Sequence, residues 1–303
     1  MRYTVVDLGS NTMRMSVYED RNGTLRHIMS EKELIGLIGY TADGVLSDEG
    51  IQRVTDTMDE FKETSDAIGC DVFSCFATAG LRNIKNTQQA VAAIYEKTGI
   101  SVTVISGEEE ARLDFIGAYA GSNLEDGLMV DMGGGSTELV RFNGRTILNS
   151  VSLPFGSLYL FKNYVSGILP QSVELKKINA FVTKQLEGIE WLSGSGDNLC
   201  VIGGTARAAA RLRQELFDQR QSDLQGYTFK ASEMELMLNK ISHSKRKSAR
   251  IITRVSPERI HTIIPGLCAF SRIIKTAGSK IITVSRNGVR EGYLHEYVLS
   301  APK

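Results

Sequence analysis

Short apolar runs alternate with polar turns along the first half of the chain, and their lengths predict strands interspersed with helices. Three strands are predicted at Tyr3–Leu8, Met13–Tyr18 and Leu25–Lys32. The pattern then predicts a helix at Ser47–Ala67, a strand at Val72–Ala77, a helix at Thr87–Lys97, a strand at Val102–Ile105 and a helix from Glu108. The first half therefore has the order β-β-β-α-β-α-β.

The second half repeats this order. Strands are predicted near Leu128–Val130, Glu138–Phe142 and Ile147–Leu153, and helices follow them. Beyond these, the pattern predicts a strand at Leu199–Ile202, helices at Thr205–Phe217, Ser232–Ile241 and Pro257–Thr276, a strand at Lys280–Val284 and a closing helix from Val289. The shared order indicates an internal duplication.

Both copies begin with the same kind of hairpin. Residues 5–12 read Val-Val-Asp-Leu-Gly-Ser-Asn-Thr, and residues 129–137 read Met-Val-Asp-Met-Gly-Gly-Gly-Ser-Thr. Glycine and serine let backbone N–H groups approach an anion, and an aspartate at a strand end can hold a divalent cation. A purely structural hairpin is the alternative, but the repetition at matching places favours a phosphate clamp made by two facing tips.

Composition sets limits on the class of protein. The 303 residues are enough for two domains, 42% of them are apolar, and 35 basic residues balance 35 acidic ones. Global attraction to nucleic acid is therefore not expected, and an anion site must be built locally. No apolar run is long enough to cross a bilayer, and Met1 leads directly into a strand, so we expect a cytoplasmic protein with no membrane partner.

Cysteine and histidine give little support for a metal centre of their own. The four cysteines, which show no CxxC spacing, are interpreted as buried reduced thiols, and the four histidines are scattered singly.

Two further segments have an ordinary structural explanation. Acidic residues in Ser106–Arg112 suit the first turn of any helix. Gly203-Gly204-Thr205 opens a helix, where an anion or nucleotide can bind, but a tight strand-to-helix turn explains the same glycines.

The duplicated order with an acidic tip in each copy resembles the superfold shared by actin, Hsp70 and sugar kinases. This resemblance implies an α/β fold of two ribonuclease-H-like domains with a ligand cleft between them. The small, polar stretch at 118–126 predicts domains at 1–121 and 122–303, and the last helix is a candidate for packing back on the first domain.

Several motifs together resemble the exopolyphosphatase / guanosine pentaphosphate phosphatase (Ppx/GppA) family in its short two-domain form. They are Asp7-Leu8-Gly9-Ser10-Asn11, Ala77-Thr78-Ala79-Gly80-Leu81-Arg82, the segment Ser106–Arg112, the segment Asp131–Leu139, Gly203-Gly204-Thr205, Pro265-Gly266-Leu267 and Gly288-Val289-Arg290-Glu291-Gly292. The resemblance spans nearly the whole chain.

The resemblance implies roles for individual residues. Glu110 matches the catalytic base, Arg82 an arginine facing the bound phosphate, and Glu138 a further acidic residue of the cleft. Asp7 and Asp131 match the carboxylates associated with Mg²⁺. Residues expected to bind phosphate are Gly9, Ser10, Asn11, Thr12, Gly133, Gly134, Gly135, Ser136, Thr137, Gly203, Gly204 and Thr205.

The expected activity is hydrolysis of an acid anhydride with Mg²⁺ as cofactor and Mn²⁺ as an alternative. The substrate would be inorganic polyphosphate, guanosine pentaphosphate or both, which connects the chain to the stringent response, and a homodimer is compatible with the sequence. One alternative is a non-catalytic regulator that binds polyphosphate or guanosine tetra- or pentaphosphate, and another is a kinase or ATPase of the same superfold. His261 and Arg286 stand where relatives carry acidic residues, so we expect contacts near the chain's end to differ.

Overall fold

The computed structural model describes residues 1–21, 24–120, 125–218, 221, 223–242 and 244–299. The chain divides into two compact units, one formed by Met1–Glu110 with the segment from Tyr293 onward, and the other by Ala111–Gly292. The domain boundary predicted between residues 121 and 122 lies outside the described residues. The predicted cleft between the domains stays a prediction.

Ten of the thirteen strands among the described residues were predicted, and most of these extend one to three residues further than the prediction. The strands that were not predicted are Thr41–Ala42, Val45–Leu46 and Tyr227–Lys230. In the first unit they are β1 (Arg2–Leu8), β2 (Thr12–Arg21), β3 (Thr24–Leu34), β4 (Thr41–Ala42), β5 (Val45–Leu46), β6 (Val72–Ala77) and β7 (Val102–Val104). In the second unit they are β8 (Asp126–Met132), β9 (Thr137–Asn143), β10 (Thr146–Leu153), β11 (Asn198–Ile202), β12 (Tyr227–Lys230) and β13 (Ile281–Val284).

The helices connect the parallel strands and cover the sheets. They are α1 (Asp48–Ile68), α2 (Ala79–Arg82), α3 (Thr87–Thr98), α4 (Gly107–Ala120), α5 (Ser157–Tyr164), α6 (Ser172–Leu186), α7 (Gly203–Phe217), α8 (Ser232–Ser242), α9 (Lys245–Val255), α10 (Ile263–Ala277) and α11 (Val289–Tyr293). Short 3₁₀ turns lie at Leu37–Tyr40, Glu190–Leu192 and Pro257–Arg259, and a π-helical segment runs over Leu294–Leu299. Among the described residues, no helix is both long and apolar enough to span a lipid bilayer.

The two main sheets share one topology. The first has the strand order β3-β2-β1-β6-β7, and the second has β10-β9-β8-β11-β13 with β12 added at its edge. In each sheet the first three strands along the chain are antiparallel, and the next strand pairs in parallel with the first. The predicted internal duplication and the α/β fold class are confirmed.

Each sheet is covered by helices with an apolar face. In α1, Ile51, Val54, Met58 and Phe61 recur at helical spacing and are buried in the first unit's core. Helix α10 is apolar around most of its circumference and packs against α5, α6, α7 and α8 in the second unit. Because these cores hold the sheets rigidly, the ends of the central strands have fixed positions.

The prediction of one continuous helix over Pro257–Thr276 is wrong. The chain forms a 3₁₀ turn at Pro257–Arg259, and α10 begins at Ile263. Proline disrupts a helix interior but suits its first turn, so Pro257 begins one turn and Pro265 lies in the first turn of α10.

Candidate functional site

The tips of the β1–β2 and β8–β9 hairpins adopt the same turn. The N–H of Gly9 donates to the carbonyl oxygen of Thr12 at 3.0 Å, and the N–H of Gly133 donates to that of Ser136 at 3.0 Å. In both cases the glycine lies two residues after the predicted metal-binding aspartate. The repeated sequence motif therefore produces the same local backbone contact in each unit.

Each tip is supported by a glycine that has no room for a side chain. A Cβ at Gly80, in α2, would lie 2.7 Å from the carbonyl oxygen of Gly9. A Cβ at Gly156, directly before α5, would lie 2.5 Å from the carbonyl oxygen of Gly133. Both distances are well below contact distance, so these glycines let a neighbouring segment pack directly on the tip backbone.

The second tip has its carbonyl groups turned toward α5. Gly133 accepts a hydrogen bond from the N–H of Ser157 at 3.0 Å, and Gly134 accepts one from the N–H of Tyr159 at 2.9 Å. In a trans peptide the N–H points opposite to the carbonyl. The N–H groups of Gly134 and Gly135 are therefore directed away from α5.

The first tip is tied to the segment after β3. The carbonyl oxygen of Asn11 accepts hydrogen bonds from the N–H groups of Ile35 and Gly36 at 3.1 and 3.0 Å, and the Ser10 side chain is largely buried. The backbone of the first tip is therefore fixed by the segment that follows β3.

A row of three polar residues crosses the second sheet beside its tip. Asp131 on β8 lies opposite Glu138 on β9, and Glu138 lies opposite Ser152 on β10. The Ser152 hydroxyl donates a hydrogen bond to Glu138 Oε1 at 2.8 Å, and Glu138 is only 1% exposed. Two carboxylates that lie directly opposite each other on neighbouring strands repel one another. We call Asp131, Glu138 and Ser152 the carboxylate row.

The equivalent row in the first sheet has different charges. Asp7 on β1 lies opposite Arg14 on β2, and Arg14 lies opposite Lys32 on β3. This set, the basic row, places a guanidinium where the second unit has a carboxylate. Asp7 and Asp131 are equivalent in position, but their neighbours are not.

The predicted catalytic base lies against the predicted phosphate-facing arginine. Arg82 Nη1 donates to Glu110 Oε2 at 2.6 Å and also approaches the carbonyl oxygen of Ile105 at 3.3 Å. Their side chains are 17% and 11% exposed. The fold thus brings α2 and the first turn of α4 together, and the ion pair is shielded from solvent rather than an ordinary surface pair.

The start of α7 is packed closely against the carboxylate row. Gly203 has φ +83°, and a Cβ there would lie 2.2 Å from Asp131 Oδ1. A Cβ at Gly204 would lie 1.8 Å from Arg259 Nη2. Both positions require glycine because the side chains of Asp131 and Arg259 leave no room for a Cβ. The N-terminus of α7 therefore lies beside the Asp131 carboxylate.

Thr205 has a structural contact in this arrangement. It is 1% exposed, and its hydroxyl donates to the carbonyl oxygen of Met132 at 3.1 Å. This bond ties α7 to the end of β8. Because the hydroxyl hydrogen is used in this way, a role in phosphate binding for Thr205 would have to come from its backbone N–H.

Arg259 is a component that the sequence interpretation missed. Besides its contact with Gly204, its Nη1 approaches Thr205 Oγ1 at 3.5 Å. Burial lowers the pKa of the guanidinium, while Glu258 and Asp131 act in the opposite direction. The residue lies in a turn that had been predicted as the start of a helix, and no sequence motif linked it to Asp131.

The buried cysteines lack the features of nucleophiles. Burial, and to a smaller extent Asp7, raises the pKa of Cys75. Burial, with contributions from Asp114 and Asp131, raises the pKa of Cys200 to about 12. Cys268 is also buried, whereas Cys70 is partly exposed, and all four are free thiols.

A groove of about 510 Å³ lies between α3 and β7 in the first unit. It is lined by Thr87, Gln88, Val91, Ala92, Tyr95, Ser101, Val102 and Val104. None of them was predicted to bind substrate, and the lining is mainly apolar, so the groove does not support a phosphate site.

A family model for Ppx/GppA phosphatases matches residues 16–301. The chain belongs to the Ppx/GppA phosphatase family. A curated relative, the bifunctional 3-dehydroquinate synthase/phosphatase of Fusobacterium nucleatum, is 26% identical over 97% of this chain. The chain spans about half (46%) of that relative's length.

Solved structures from the Ppx/GppA family share the fold. An exopolyphosphatase from Cytophaga hutchinsonii superposes with a TM-score of 0.87 at 23% identity, over 97% of both chains. The Ppx/GppA family member from Aquifex aeolicus gives a TM-score of 0.82 at 23% identity, over 97% of this chain and 96% of the other. At this identity the likeness shows the fold alone. The predicted family is confirmed, and the roles of individual residues stay predictions.

Proposed function

We propose that this chain is a Mg²⁺-dependent phosphohydrolase that releases the terminal phosphate of inorganic polyphosphate, of guanosine pentaphosphate or of both, with Glu110 as the general base. Membership of a phosphatase family supports the reaction class. The single observation that carries the residue assignment is the shielded contact between Arg82 and Glu110.

Hydrolysis of a phosphoanhydride requires a positioned water, a proton acceptor and positive groups around the transferred phosphoryl oxygens. In the proposed reaction the water oxygen attacks the terminal phosphorus, Glu110 accepts the water proton, and the bridging P–O bond breaks. The shortened phosphate chain leaves as an anion.

Arg82 fits two parts of this scheme. Its guanidinium fixes one oxygen of Glu110, and a carboxylate facing a cation carries its charge at low energetic cost, which is the state a general base needs. A guanidinium also has five N–H donors in a planar fork that matches phosphate geometry, so Arg82 can orient the base and bind a phosphate oxygen.

The tip of the β8–β9 hairpin has neutral donors that suit an anion. The N–H groups of Gly134 and Gly135 point away from α5 because their preceding carbonyls are held by the first turn of that helix. Consecutive N–H groups directed to one side form an anion-binding concavity. This geometry favours a phosphate role for the second tip over a purely structural hairpin.

The carboxylate row fits the predicted magnesium ion. Within the described residues, no cluster of three or more His, Cys, Asp or Glu side chains could hold a metal. Magnesium, however, usually takes only one or two carboxylates together with water and substrate phosphates. Asp131 and Glu138 form such a pair, and a cation between them would relieve their repulsion. Bound there, Mg²⁺ would neutralise phosphate charge.

Asp7 fits a magnesium ion less well. It lies opposite Arg14, a cationic residue, whereas Asp131 lies opposite a second carboxylate. We therefore assign the cation to Asp131 and Glu138, and leave Asp7 as a predicted ligand from the family resemblance.

The proposal is tested by replacing Glu110 with Gln, which removes the proton acceptor while keeping the size. We expect phosphate release to fall by about 10²–10⁴-fold, the usual contribution of a general base, with substrate binding largely retained. Glu108→Gln is the matched control, since Glu108 lies in the same helical turn and is exposed. Equal rates for Glu110→Gln and the parent would show that the base is wrongly assigned.

A substrate panel decides the finer question of which phosphate compound is used. Short and long polyphosphate, pyrophosphate, guanosine pentaphosphate and ATP would each be incubated with Mg²⁺ and with Mn²⁺. Tight binding without turnover under every metal would favour a non-catalytic regulator, and transfer from ATP to an acceptor without polyphosphate hydrolysis would favour a kinase.

A further inference from the structure

The carboxylate row ends in a serine that the proposed reaction does not use. We propose that Ser152 is a positioning residue for Glu138, and that its hydroxyl holds this carboxylate in the orientation needed to bind a divalent cation. The inference rests on the proposed function for its purpose, but its test does not depend on turnover.

The hydrogen bond between Ser152 and Glu138 joins two residues that face each other on neighbouring strands. Ser152 lies directly opposite Glu138 in the β9–β10 pairing, and its Oγ donates to Glu138 Oε1 at 2.8 Å. Glu138 is 1% exposed, so bulk water is not available to replace this donor. Removing one partner of a buried hydrogen bond costs the desolvation of the other, about 1–3 kcal/mol and more for a charged group.

The donor is a neutral hydroxyl, which is compatible with cation binding at Glu138. A lysine or arginine at residue 152 would neutralise Glu138 and compete with a cation. A hydroxyl orients the carboxylate and leaves its negative charge intact. In the basic row the residue equivalent to Ser152 is Lys32, which faces Arg14 rather than a carboxylate.

Ser152 does not contact the cation in this proposal and acts only through Glu138. Partners of this kind fix the rotamer of a metal ligand, and their loss typically weakens metal affinity by about 10–100-fold. The effect of losing Ser152 should therefore appear in cation binding before any substrate is added.

The experiment measures Mn²⁺ binding to the full chain without substrate, by electron paramagnetic resonance and by calorimetric titration. We expect Ser152→Ala to weaken the affinity about tenfold, and Ser152→Thr, which keeps the hydroxyl, to restore it. Ser152→Lys should abolish Mn²⁺ binding because its ammonium would pair with Glu138.

Ser150→Ala is the matched control. Ser150 lies two residues away on the same strand and the same face, and it pairs with Val140 rather than with a carboxylate. We expect it to bind Mn²⁺ as the parent does. Circular dichroism and thermal melting check folding, and if Ser152→Ala fails to fold, Ser152→Cys provides a weak donor of similar size with an intermediate affinity expected.

The outcomes separate this inference from the proposed function. Parent-like Mn²⁺ affinity in Ser152→Ala, an equal loss in Ser150→Ala, or no Mn²⁺ binding by the parent would overturn the role of Ser152. A parent that binds Mn²⁺ through Ser152 and Glu138 but hydrolyses none of the panel substrates would instead overturn the proposed reaction and leave the positioning role supported.

Discussion

The carboxylate row of the second unit and the basic row of the first occupy the same place in two sheets of the same topology, yet they carry opposite charges. Asp131 is followed across the sheet by Glu138 and a serine, whereas Asp7 is followed by Arg14 and Lys32. Like charges on facing strand positions are destabilising, and we propose that a cation bound at the carboxylate row would relieve the repulsion between Asp131 and Glu138. The two tips thus share a backbone turn but differ in the charged residues beside them.

The largest effect expected from this comparison is on cation affinity. Asp131→Asn should weaken Mn²⁺ binding by at least about 100-fold, because it removes a proposed ligand, and loss of a group that only orients a ligand already costs about 10–100-fold. Asp7→Asn should change it by less than about threefold, because Asp7 lies opposite the cationic Arg14 rather than a second carboxylate. Both are measured by calorimetric titration, and equal losses in the two variants would contradict the assignment of the cation to the carboxylate row.

The shared part of this comparison could be predicted from sequence. Each tip is a local hairpin in which an aspartate, glycine and small polar residues follow one another, so the pattern is visible without tertiary structure. The shared topology could also be predicted, because the order of strands and helices repeats and each element is visible in the apolar pattern of its own segment.

The difference between the rows could not be predicted in the same way. Register shifts between Ile147 and Asn149, and between Val17 and Tyr18, decide which residues face each other in the outer strands. Arg259 reaches the site from a turn far along the chain. Contacts of this kind depend on tertiary packing, which sequence periodicity does not encode.

The second prediction concerns what the two tips share. Gly80→Ala and Gly156→Ala should each destabilise their own unit by about 1–3 kcal/mol, the usual cost of overpacking, because the new methyl group would meet the tip backbone. Denaturant unfolding measures the change.

Gly39→Ala and Gly188→Ala are the controls for the first and second unit, since a Cβ at either residue meets no atom within 4 Å. If the tip variants unfolded like these controls, the close packing of Gly80 and Gly156 on the tips would not contribute to stability.

The smallest expected effect is a gain in stability. Without a divalent cation, Glu138→Gln should raise the free energy of unfolding by about 0.5 kcal/mol, because it removes one of two facing charges while the amide oxygen can still accept the hydrogen bond from Ser152. Thermal unfolding in a chelator measures this gain.

Added Mg²⁺ should then stabilise the parent more than Glu138→Gln, since a cation that binds only the folded chain shifts the equilibrium toward it. If Glu138→Gln were less stable than the parent in the chelator, the carboxylate pair would not be repulsive and the physical case for a cation would fail.

Hydrolysis of a phosphoanhydride by the parent protein with a divalent cation is the central property to measure. Phosphorus NMR of tripolyphosphate incubated with the purified chain measures this. We predict one orthophosphate for each chain shortened by one unit, only when Mg²⁺ or Mn²⁺ is present, and loss of the reaction in chelator. Intact tripolyphosphate and guanosine pentaphosphate after incubation with either metal, despite binding, would contradict the proposed function.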